Sequence, residues 1–298
     1  METNSDSEEE KASLIFRISF FCLLLLSACH MSDKKRDPGK PSFTKRFDPS
    51  IIAKKDTVAA KVVKKKRIYL TFDDGPNKGS DSLLQLIKAE SIPASFFLIG
   101  EHVYNNKKHY ALWNSLLTMQ NIEICNHSFT HAMHNHYKKF YTNSDSVIKD
   151  FVRAQDSLRL NNNIIRAPGR NSWRTDSIAY TDIIKSKNIV DSLQKAGFYV
   201  LGWDLEWRFN SKTLKAVNTA DEMLRKIDSM FKKGKTKMPE NLVILAHDQM
   251  YRSKYDLDEL KIFLGKMKQN DEYEFSLVGD YPGIMRKTDT NKTKTNPQ

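Results

Sequence analysis

Short apolar runs alternate with longer segments of helical periodicity between residues 68 and 278. The runs have the length and composition of β-strands, and the segments between them repeat apolar residues every three or four positions, as amphipathic helices do. The predicted strands cover residues 68–72, 94–99, 122–125, 164–167, 198–203, 242–246 and 273–278. The predicted helices cover residues 82–89, 110–119, 144–160, 189–195, 213–231 and 257–267.

This alternation predicts an α/β fold with a parallel sheet, because two parallel strands need a crossover connection between them. We expect a single domain over residues 67–283 that forms a distorted (β/α) barrel of about seven parallel strands. An open doubly wound sheet is the alternative. A chain of 298 residues with 40% apolar residues is long enough to bury one core of this size.

The chain begins with a segment typical of an export signal. Residues 14–28 are almost entirely apolar, with Arg17 as their one charge, and the run is too short for a typical membrane span. It ends in Leu-Ser-Ala-Cys, which resembles the processing site of bacterial lipoproteins, so residues 1–29 are the expected signal and Cys29 the expected lipidation site. An uncleaved anchor is the alternative, and the acidic residues 5–10 depart from the usual basic start. Both alternatives put the domain outside the cytoplasm, membrane-anchored in the bacterial cell envelope.

The formal net charge of +12 is concentrated before the predicted domain. Residues 33–67 hold thirteen basic and four acidic side chains, and most of them lie in the predicted flexible tether, residues 30–66. Such a tether is either a solvated spacer or a contact for anionic lipid or envelope polyanions. We do not expect nucleic-acid binding, because the folded part is only mildly basic. Residues 284–298 form a polar tail.

The cysteines do not predict a disulfide inside the domain. Cys22 lies in the signal and Cys29 at its processing site, which leaves Cys125 alone. Its apolar neighbours predict a buried core residue.

Two adjacent carboxylates stand at the end of the first predicted strand. Residues 71–76 read TFDDGP, so Asp73 and Asp74 precede a Gly-Pro turn. Like charges this close raise a pKa unless a cation or a donor relieves them. The pair is therefore either ordinary turn chemistry, in which Asp caps backbone N–H groups, or a metal ligand beside a general base.

Other polar residues follow the remaining predicted strands in the same way. Together with the first pair, the residues at these strand ends are Asp73, Asp74, His127, Arg166, Trp203, Asp204 and His247. The carboxyl ends of parallel strands meet on one rim of a barrel, where barrel active sites form. We therefore expect these side chains to lie close together.

His127 and His131 stand four residues apart, a spacing that puts two imidazoles on one side of a helical turn. Two histidines and one aspartate make a three-ligand site for zinc or a similar divalent ion, with a position left for water. The second carboxylate then remains free to take a proton from that water. His134 and His136 follow, so a His-rich solvated loop is the alternative.

Arg166 is a candidate to hold the free carboxylate ionised, or else a surface residue beside a Pro turn. His247 is a candidate to protonate a leaving group, or else a structural residue. Two tryptophans and two acids form either a sugar platform or part of the core, and either acid is a candidate to orient His247. These four residues are Trp203, Asp204, Glu206 and Trp207.

These motifs in this order resemble the polysaccharide deacetylases, carbohydrate esterase family 4, whose shared part is the NodB homology domain. The resemblance covers residues 67–280. TFDDGP and the segment HSFTH at 127–131 match closely, LAHD at 245–248 matches well, and RAPGR at 166–170 and WDLEW at 203–207 match loosely.

The resemblance implies a role for each candidate. It makes Asp73 the base, His247 the acid and Arg166 the partner of the base. It makes Asp74 a ligand, together with both histidines of HSFTH, His127 and His131, for one divalent ion. Zinc is the first expectation, with cobalt, nickel or manganese as alternatives.

It also implies a substrate pocket around the reacting group. Leu245 falls on the residue that contacts the acetyl methyl group, and Pro168-Gly169 stands where many members have Pro-Tyr, so a backbone N–H is left to face the oxyanion. The fourth motif departs as well, because Glu206-Trp207 replaces the usual Asp-Trp.

The function implied is metal-dependent removal of N-acetyl groups from an amino-sugar polymer, peptidoglycan or a related envelope glycan. The alternatives are an O-acetyl polysaccharide esterase and a glycan-binding lipoprotein without catalytic activity.

Overall fold

The computed structural model describes residues 64–285. The expected signal, Cys29, residues 30–63 of the tether and residues 286–298 of the tail lie outside the described residues. Their assignments stay predictions. Within residues 64–285, no helix has the length and apolar character needed to cross a membrane.

Ten strands form one sheet. They are β1 (Lys66–Gly75), β2 (Ala94–Leu98), β3 (Ile122–Asn126), β4 (Ile164–Ile165), β5 (Ser172–Arg174), β6 (Ala179–Thr181), β7 (Tyr199–Val200), β8 (Leu205–Glu206), β9 (Asn241–His247) and β10 (Tyr273–Phe275). Their order is β6-β5-β7-β4-β3-β2-β1-β9-β8, and β10 pairs with β1.

The right-handed helices of the described part surround this sheet. They are α1 (Ser80–Glu90), α2 (Gly100–Tyr104), α3 (Lys107–Leu117), α4 (Tyr137–Phe140), α5 (Ser144–Ser157), α6 (Lys187–Lys195), α7 (Ala220–Lys232) and α8 (Lys254–Lys268). Short 3-10 turns cover Ile184–Ser186, Asp248–Arg252 and Val278–Asp280.

The sheet curls into a half-barrel of one domain, which confirms the predicted fold class. All seven predicted strands are present, and β1 pairs in parallel with β2, β9 and β10. The parallel pairing continues through β3, β4 and β7. Consequently the carboxyl ends of these strands lie on one rim.

The structure adds short elements that were not predicted, which are the strands β5, β6 and β8 and the helices α2 and α4, and one predicted helix begins later than expected. Strands β5 and β6 form an antiparallel hairpin that was not predicted, because each is only three residues long. The helix predicted to begin at residue 213 begins at Ala220, where Thr219 and Glu222 form a capping box. Residues 213–219 are a loop.

Strand β1 is buried along most of its length and separates two parts of the core. Ile68, Leu70 and Phe72 pack toward the helices on one face. Tyr69 faces the inside of the half-barrel with Phe97, and Cys125 is buried there without a disulfide partner, as predicted. Because both faces of β1 pack against other residues, the two acids at its carboxyl end have a fixed position.

Candidate metal and catalytic site

The two acids at the end of β1 point in different directions. Asp73 is buried and continues the strand. Asp74 has a left-handed backbone (φ 72°), and the strand register shifts between Asp73 and Gly75. Aspartate tolerates this conformation better than most residues. The kink turns the Asp74 carboxylate toward the loop that follows β3.

Both predicted histidines meet Asp74 in that position. His131 Nε2 lies 3.2 Å and His127 Nε2 lies 3.4 Å from Asp74 Oδ1. The ligand atoms of the three residues all lie within 4.8 Å of one another. These residues, brought together from β1 and from the loop after β3, form a candidate metal site.

The prediction that the two histidines share a helical turn is wrong. His127 directly follows β3, and residues His131–Asn135 form a left-handed turn whose five φ angles lie between 47° and 70°. Asp150 of α5 holds the start of this loop, because its Oδ2 accepts hydrogen bonds from the backbone N–H groups of Phe129 and Thr130 at 3.1 and 3.3 Å.

The residues present fit a divalent metal ion. Asp74 Oδ1 is buried and has no hydrogen bond of good geometry from residues 64–285, so it is an acceptor available to a cation. His127 Nδ1 lies 2.9 Å from the carbonyl oxygen of Arg166, to which it donates, so the lone pair of Nε2 faces Asp74. Two imidazoles and a carboxylate are a donor set that zinc accepts.

The electrostatics also favour a cation. Burial alone would raise the pKa of Asp74, but the neighbouring imidazoles of His127 and His131 outweigh it and hold that pKa well below the usual range. Burial alone would lower the pKa of His127, yet the carboxylates of Asp73 and Asp74 raise it. The two carboxylates therefore favour a positive charge at this position.

Arg166 lies behind Asp73 and is fully buried, so the alternative of a surface residue is wrong. Its Nη1 donates to Asp73 Oδ1 at 2.7 Å and to Thr71 Oγ1 at 2.8 Å. Its other nitrogens donate to the carbonyl oxygens of Leu201 and Gly202. This network leaves Asp73 Oδ2, which lies 3.7 Å from His127 Nε2, as the oxygen free for other partners.

His247 lies across a small pocket from these acids. The pocket has a volume of about 210 Å³, and the Phe209 ring packs against the imidazole with ring centres 5.1 Å apart. His247 Nδ1 has no hydrogen-bond partner among residues 64–285. The residues that line the pocket are Asp73, Asp74, His127, His131, Tyr137, Ala167, Gly169, Trp203, Glu206, Leu245 and His247.

Comparison with known proteins identifies this arrangement. A family model described as polysaccharide deacetylase matches residues 60–201. YheN of Bacillus subtilis, provisionally named a polysaccharide deacetylase, is 24% identical over 220 residues, which are 72% of this chain and 68% of that protein. A peptidoglycan-N-acetylglucosamine deacetylase of Bacillus cereus is 28% identical over 158 residues, which are 51% of this chain and 51% of that protein.

Residues 60–201 are therefore similar to the polysaccharide deacetylases, a family of hydrolases, as the motifs predicted. The solved structure of a family 4 carbohydrate esterase from Streptomyces lividans, in complex with acetate, matches with a TM-score of 0.52 at 17% identity, over 73% of this chain and 95% of that one. That likeness supports the fold. The chain spans about half the length of the Bacillus cereus protein.

Three residues predicted to bind substrate lie outside the pocket. Trp207 is buried against Phe263 in the core, so its part in a sugar platform is wrong. Pro168 is buried, and its carbonyl oxygen accepts from Tyr141. Asp204 accepts from the backbone N–H groups of Lys237 and Val243, and both of its oxygens are used.

The placement of Asp204 decides between the two acids proposed to orient His247. Burial raises the pKa of Asp204 to about 6, and its oxygens accept hydrogen bonds from the backbone N–H groups of Lys237 and of Val243 on β9. Glu206 lines the same pocket as His247 and is the remaining candidate.

Two residues near the site were not predicted. Asp248 follows His247 in LAHD and is buried, with hydrogen bonds to Ser80 and Asn77 of the turn after TFDDGP. Burial, and the nearby charge of Asp74, raise its pKa to about 8. Tyr137 packs on His131 with ring centres 5.9 Å apart. Asp248 could have been identified from the sequence because it is adjacent to His247, whereas no feature of the sequence indicates a role for Tyr137.

Proposed function

We propose that this protein removes N-acetyl groups from an amino-sugar polymer of the bacterial envelope in a metal-dependent reaction. One observation carries the proposal. A three-ligand cluster, a buried acid paired with arginine and a half-buried histidine all open into one pocket of about 210 Å³. Those are the groups that amide hydrolysis needs within reach of one carbonyl.

Asp74, His127 and His131 would hold the divalent ion, with zinc the first expectation from the donor set. When bound, such an ion makes water a stronger acid and polarises a carbonyl oxygen. The ligands themselves are held before binding, since His127 is fixed by the Arg166 carbonyl and the loop by Asp150.

Asp73 is the group that takes a proton from the attacking water. Arg166 donates a hydrogen bond to Oδ1, which leaves Oδ2 as the acceptor. The hydroxide so formed adds to the acetamide carbonyl carbon. Gly169, which lines the pocket and carries no side chain there, offers its backbone N–H to the oxyanion.

His247 gives a proton to the amine as the carbon–nitrogen bond breaks, so acetate and a free amino sugar result. Leu245 and Trp203, on the same pocket wall, exclude water and contact the acetyl methyl group. Glu206 supports His247 in place of the aspartate usual in the fourth motif.

Peptidoglycan is the substrate we favour, and its support is the similarity to the Bacillus cereus peptidoglycan-N-acetylglucosamine deacetylase. An envelope location also belongs to the proposal, with the apolar run and Cys29 as its support. Ester hydrolysis is the competing chemistry, since an ester needs less protonation of its leaving group than an amide does.

The test is acetate release from peptidoglycan, chitin oligomers and acetylated xylan, each with and without a chelator. We expect release from the N-acetylated glycans that is lost on chelation and restored by zinc. Asp73→Asn should keep the metal but lose about 100-fold or more in kcat, because a general base contributes that much. Asp156→Asn, an exposed change on α5, is the matched control.

Release from xylan alone would favour the esterase, and binding of glycan without any acetate release would favour the non-catalytic alternative. Unchanged turnover in Asp73→Asn would remove Asp73 from the chemistry.

A further inference from the structure

A second depression adjoins the catalytic pocket, and Arg170 is the one residue of the five family motifs among its lining residues. It has a volume of about 690 Å³, within the range typical of small-molecule sites. We call it the basic groove. Its lining residues are Tyr137, Lys138, Tyr141, Thr142, Arg170, Ile183, Lys185, Ser186, Asn188 and Ile189.

The basic groove is continuous with the catalytic pocket. Tyr137 lines both, and it packs so closely on Gly169 that a Cβ atom there would lie 2.9 Å from its ring. Arg170 directly follows Gly169 and faces the groove. A polymer with one sugar in the pocket therefore has a neighbouring unit at the groove.

The charge of the groove is positive and unbalanced. Lys138, Arg170 and Lys185 line it, and within residues 64–285 none of the three forms an ion pair. No acidic residue is among its lining residues. Asp182, three residues before Lys185, accepts hydrogen bonds from the backbone of Asn171 and Ile183, and it is an acid whose charge acts on Tyr141 of the groove.

Arg170 supplies the donor of the groove. Its Nη1 donates to the Gly169 carbonyl oxygen at 2.7 Å, and its guanidinium lies over the Tyr141 ring at 5.0 Å. Its Nε is buried and has no hydrogen-bond partner among the described residues. Because Nε is buried, Nη2 is the guanidinium nitrogen left to donate a charge-assisted hydrogen bond to a carboxylate in the groove.

We propose that the basic groove binds a carboxylate carried by the sugar next to the one that is deacetylated. This inference rests on the proposed function and narrows its substrate to acidic amino-sugar polymers. The tyrosine and isoleucine side chains contact the apolar faces of the sugar, and the cations hold its acid group. A neutral chitin-type oligomer leaves the three cations without a partner.

The experiment compares two glycans that differ only in charge. One is an alternating glycan of N-acetylglucosamine and N-acetylmuramic acid without peptides, which bears a lactyl carboxylate, and the other is its methyl ester. For each, kcat/KM is measured from acetate release, and Kd is measured by calorimetry. We expect the native enzyme to prefer the acid by about tenfold, the usual effect of one charge-assisted hydrogen bond.

The groove variants are Lys138→Gln/Lys185→Gln and Arg170→Gln. The two lysines are exposed, so the double variant is expected to fold normally. In both variants the ratio of acid to ester should fall below the native ratio, because each variant removes part of the positive charge that distinguishes the two glycans. Lys261→Gln, an exposed lysine on α8, is the matched control and should keep the native ratio.

The two readouts separate this inference from the proposed function. Two results would overturn the proposed role of the groove and keep the proposed function. One is acetate release by the native enzyme with an acid-to-ester ratio near one, and the other is a native acid-to-ester ratio in both groove variants. Tighter binding of the acid without any acetate release would keep the groove and overturn the function. A second acidic glycan, with a uronic acid in place of the lactyl group, tells which carboxylate position fits better.

Discussion

The neighbouring acids Asp73 and Asp74 have different surroundings although they share one motif. Asp73 meets a buried guanidinium, and Asp74 meets two imidazoles. Asp73 and Asp74 have nearly the same neighbours along the chain, so the sequence alone does not distinguish their roles. The left-handed backbone of Asp74 is what separates the two carboxylates, and the family resemblance was needed to anticipate their roles.

We expect Arg166→Met to be strongly destabilising. The change leaves the buried Asp73 carboxylate without its cation, so the free energy of unfolding should fall by about 3–5 kcal/mol. Urea denaturation at neutral pH followed by circular dichroism measures it.

The matched control is Arg67→Met, which breaks a half-exposed pair with Glu274 (3.0 Å) and should cost at most about 1 kcal/mol. Equal losses of unfolding free energy in the two variants would mean that the buried Arg166–Asp73 pair contributes no more to stability than the half-exposed Arg67–Glu274 pair.

A pH dependence follows from Asp248, whose pKa burial raises to about 8. The native state holds this proton more tightly than the unfolded state, so the stabilisation is complete below about pH 4 and is lost as the pH rises toward 8. Asp248→Asn keeps the shape of the protonated acid and its partners Ser80 and Asn77. In chelator, the variant should therefore gain stability relative to the native protein by up to about 1.4 kcal/mol per pH unit over that window.

The measurement is the difference in unfolding free energy between the two proteins at several pH values from 4 to 8. A difference that stays constant with pH would show that Asp248 does not hold a proton in the folded protein.

At the scale of the elements, the apolar pattern predicted the seven main parallel strands and failed for the short strands β5, β6 and β8 and where local geometry decides. The seven strands were predictable because parallel strands buried on both faces are almost continuously apolar. The His131–Asn135 turn was not, since a left-handed turn without glycine is disfavoured locally and is held here by its surroundings. The four-residue spacing of His127 and His131 identified the right pair of histidines, but the helical turn inferred from that spacing is not present.

Asp150 joins α5 to the loop after β3, and this role can be tested. Its carboxylate fixes the loop that carries both imidazole ligands, so Asp150→Ala should weaken metal binding by about 10-fold to 100-fold, as loss of an outer-sphere partner usually does. Competition with a fluorescent zinc chelator measures the affinity.

Asp156→Ala removes an exposed acid from the same helix and keeps the loop contacts intact. It should bind zinc as the native protein does. A similar loss in both variants would assign the effect to the helix or to net charge instead of to the loop.

At the scale of the whole molecule, the half-barrel explains why so much of the site was predictable. Residues far apart in the chain converge because each follows a strand of one parallel sheet, and strand ends can be located from sequence. Trp207 and Asp204 departed from this rule. Both lie at the short strand β8, where two residues decide which side chain faces the pocket and which faces the core.

The metal should also stabilise the domain as a whole, because its ligands join the end of β1 to the loop after β3. Zinc at about 100 times its Kd should raise the free energy of unfolding by about 2.7 kcal/mol, since it binds the folded state and not the unfolded one. Thermal or urea denaturation at increasing zinc concentration measures the rise. His131→Ala removes a ligand and should abolish most of it.

His134→Ala is the control for that experiment, because His134 stands in the same left-handed turn but pairs with Glu101 at 3.1 Å instead of facing Asp74. It should keep the native response to zinc. Loss of the response in His134→Ala with retention in His131→Ala would mean that the metal sits on the outer face of the turn. In that case the pocket would lack its metal, because the carboxylate of Asp74 and the imidazole of His127 alone make an incomplete site.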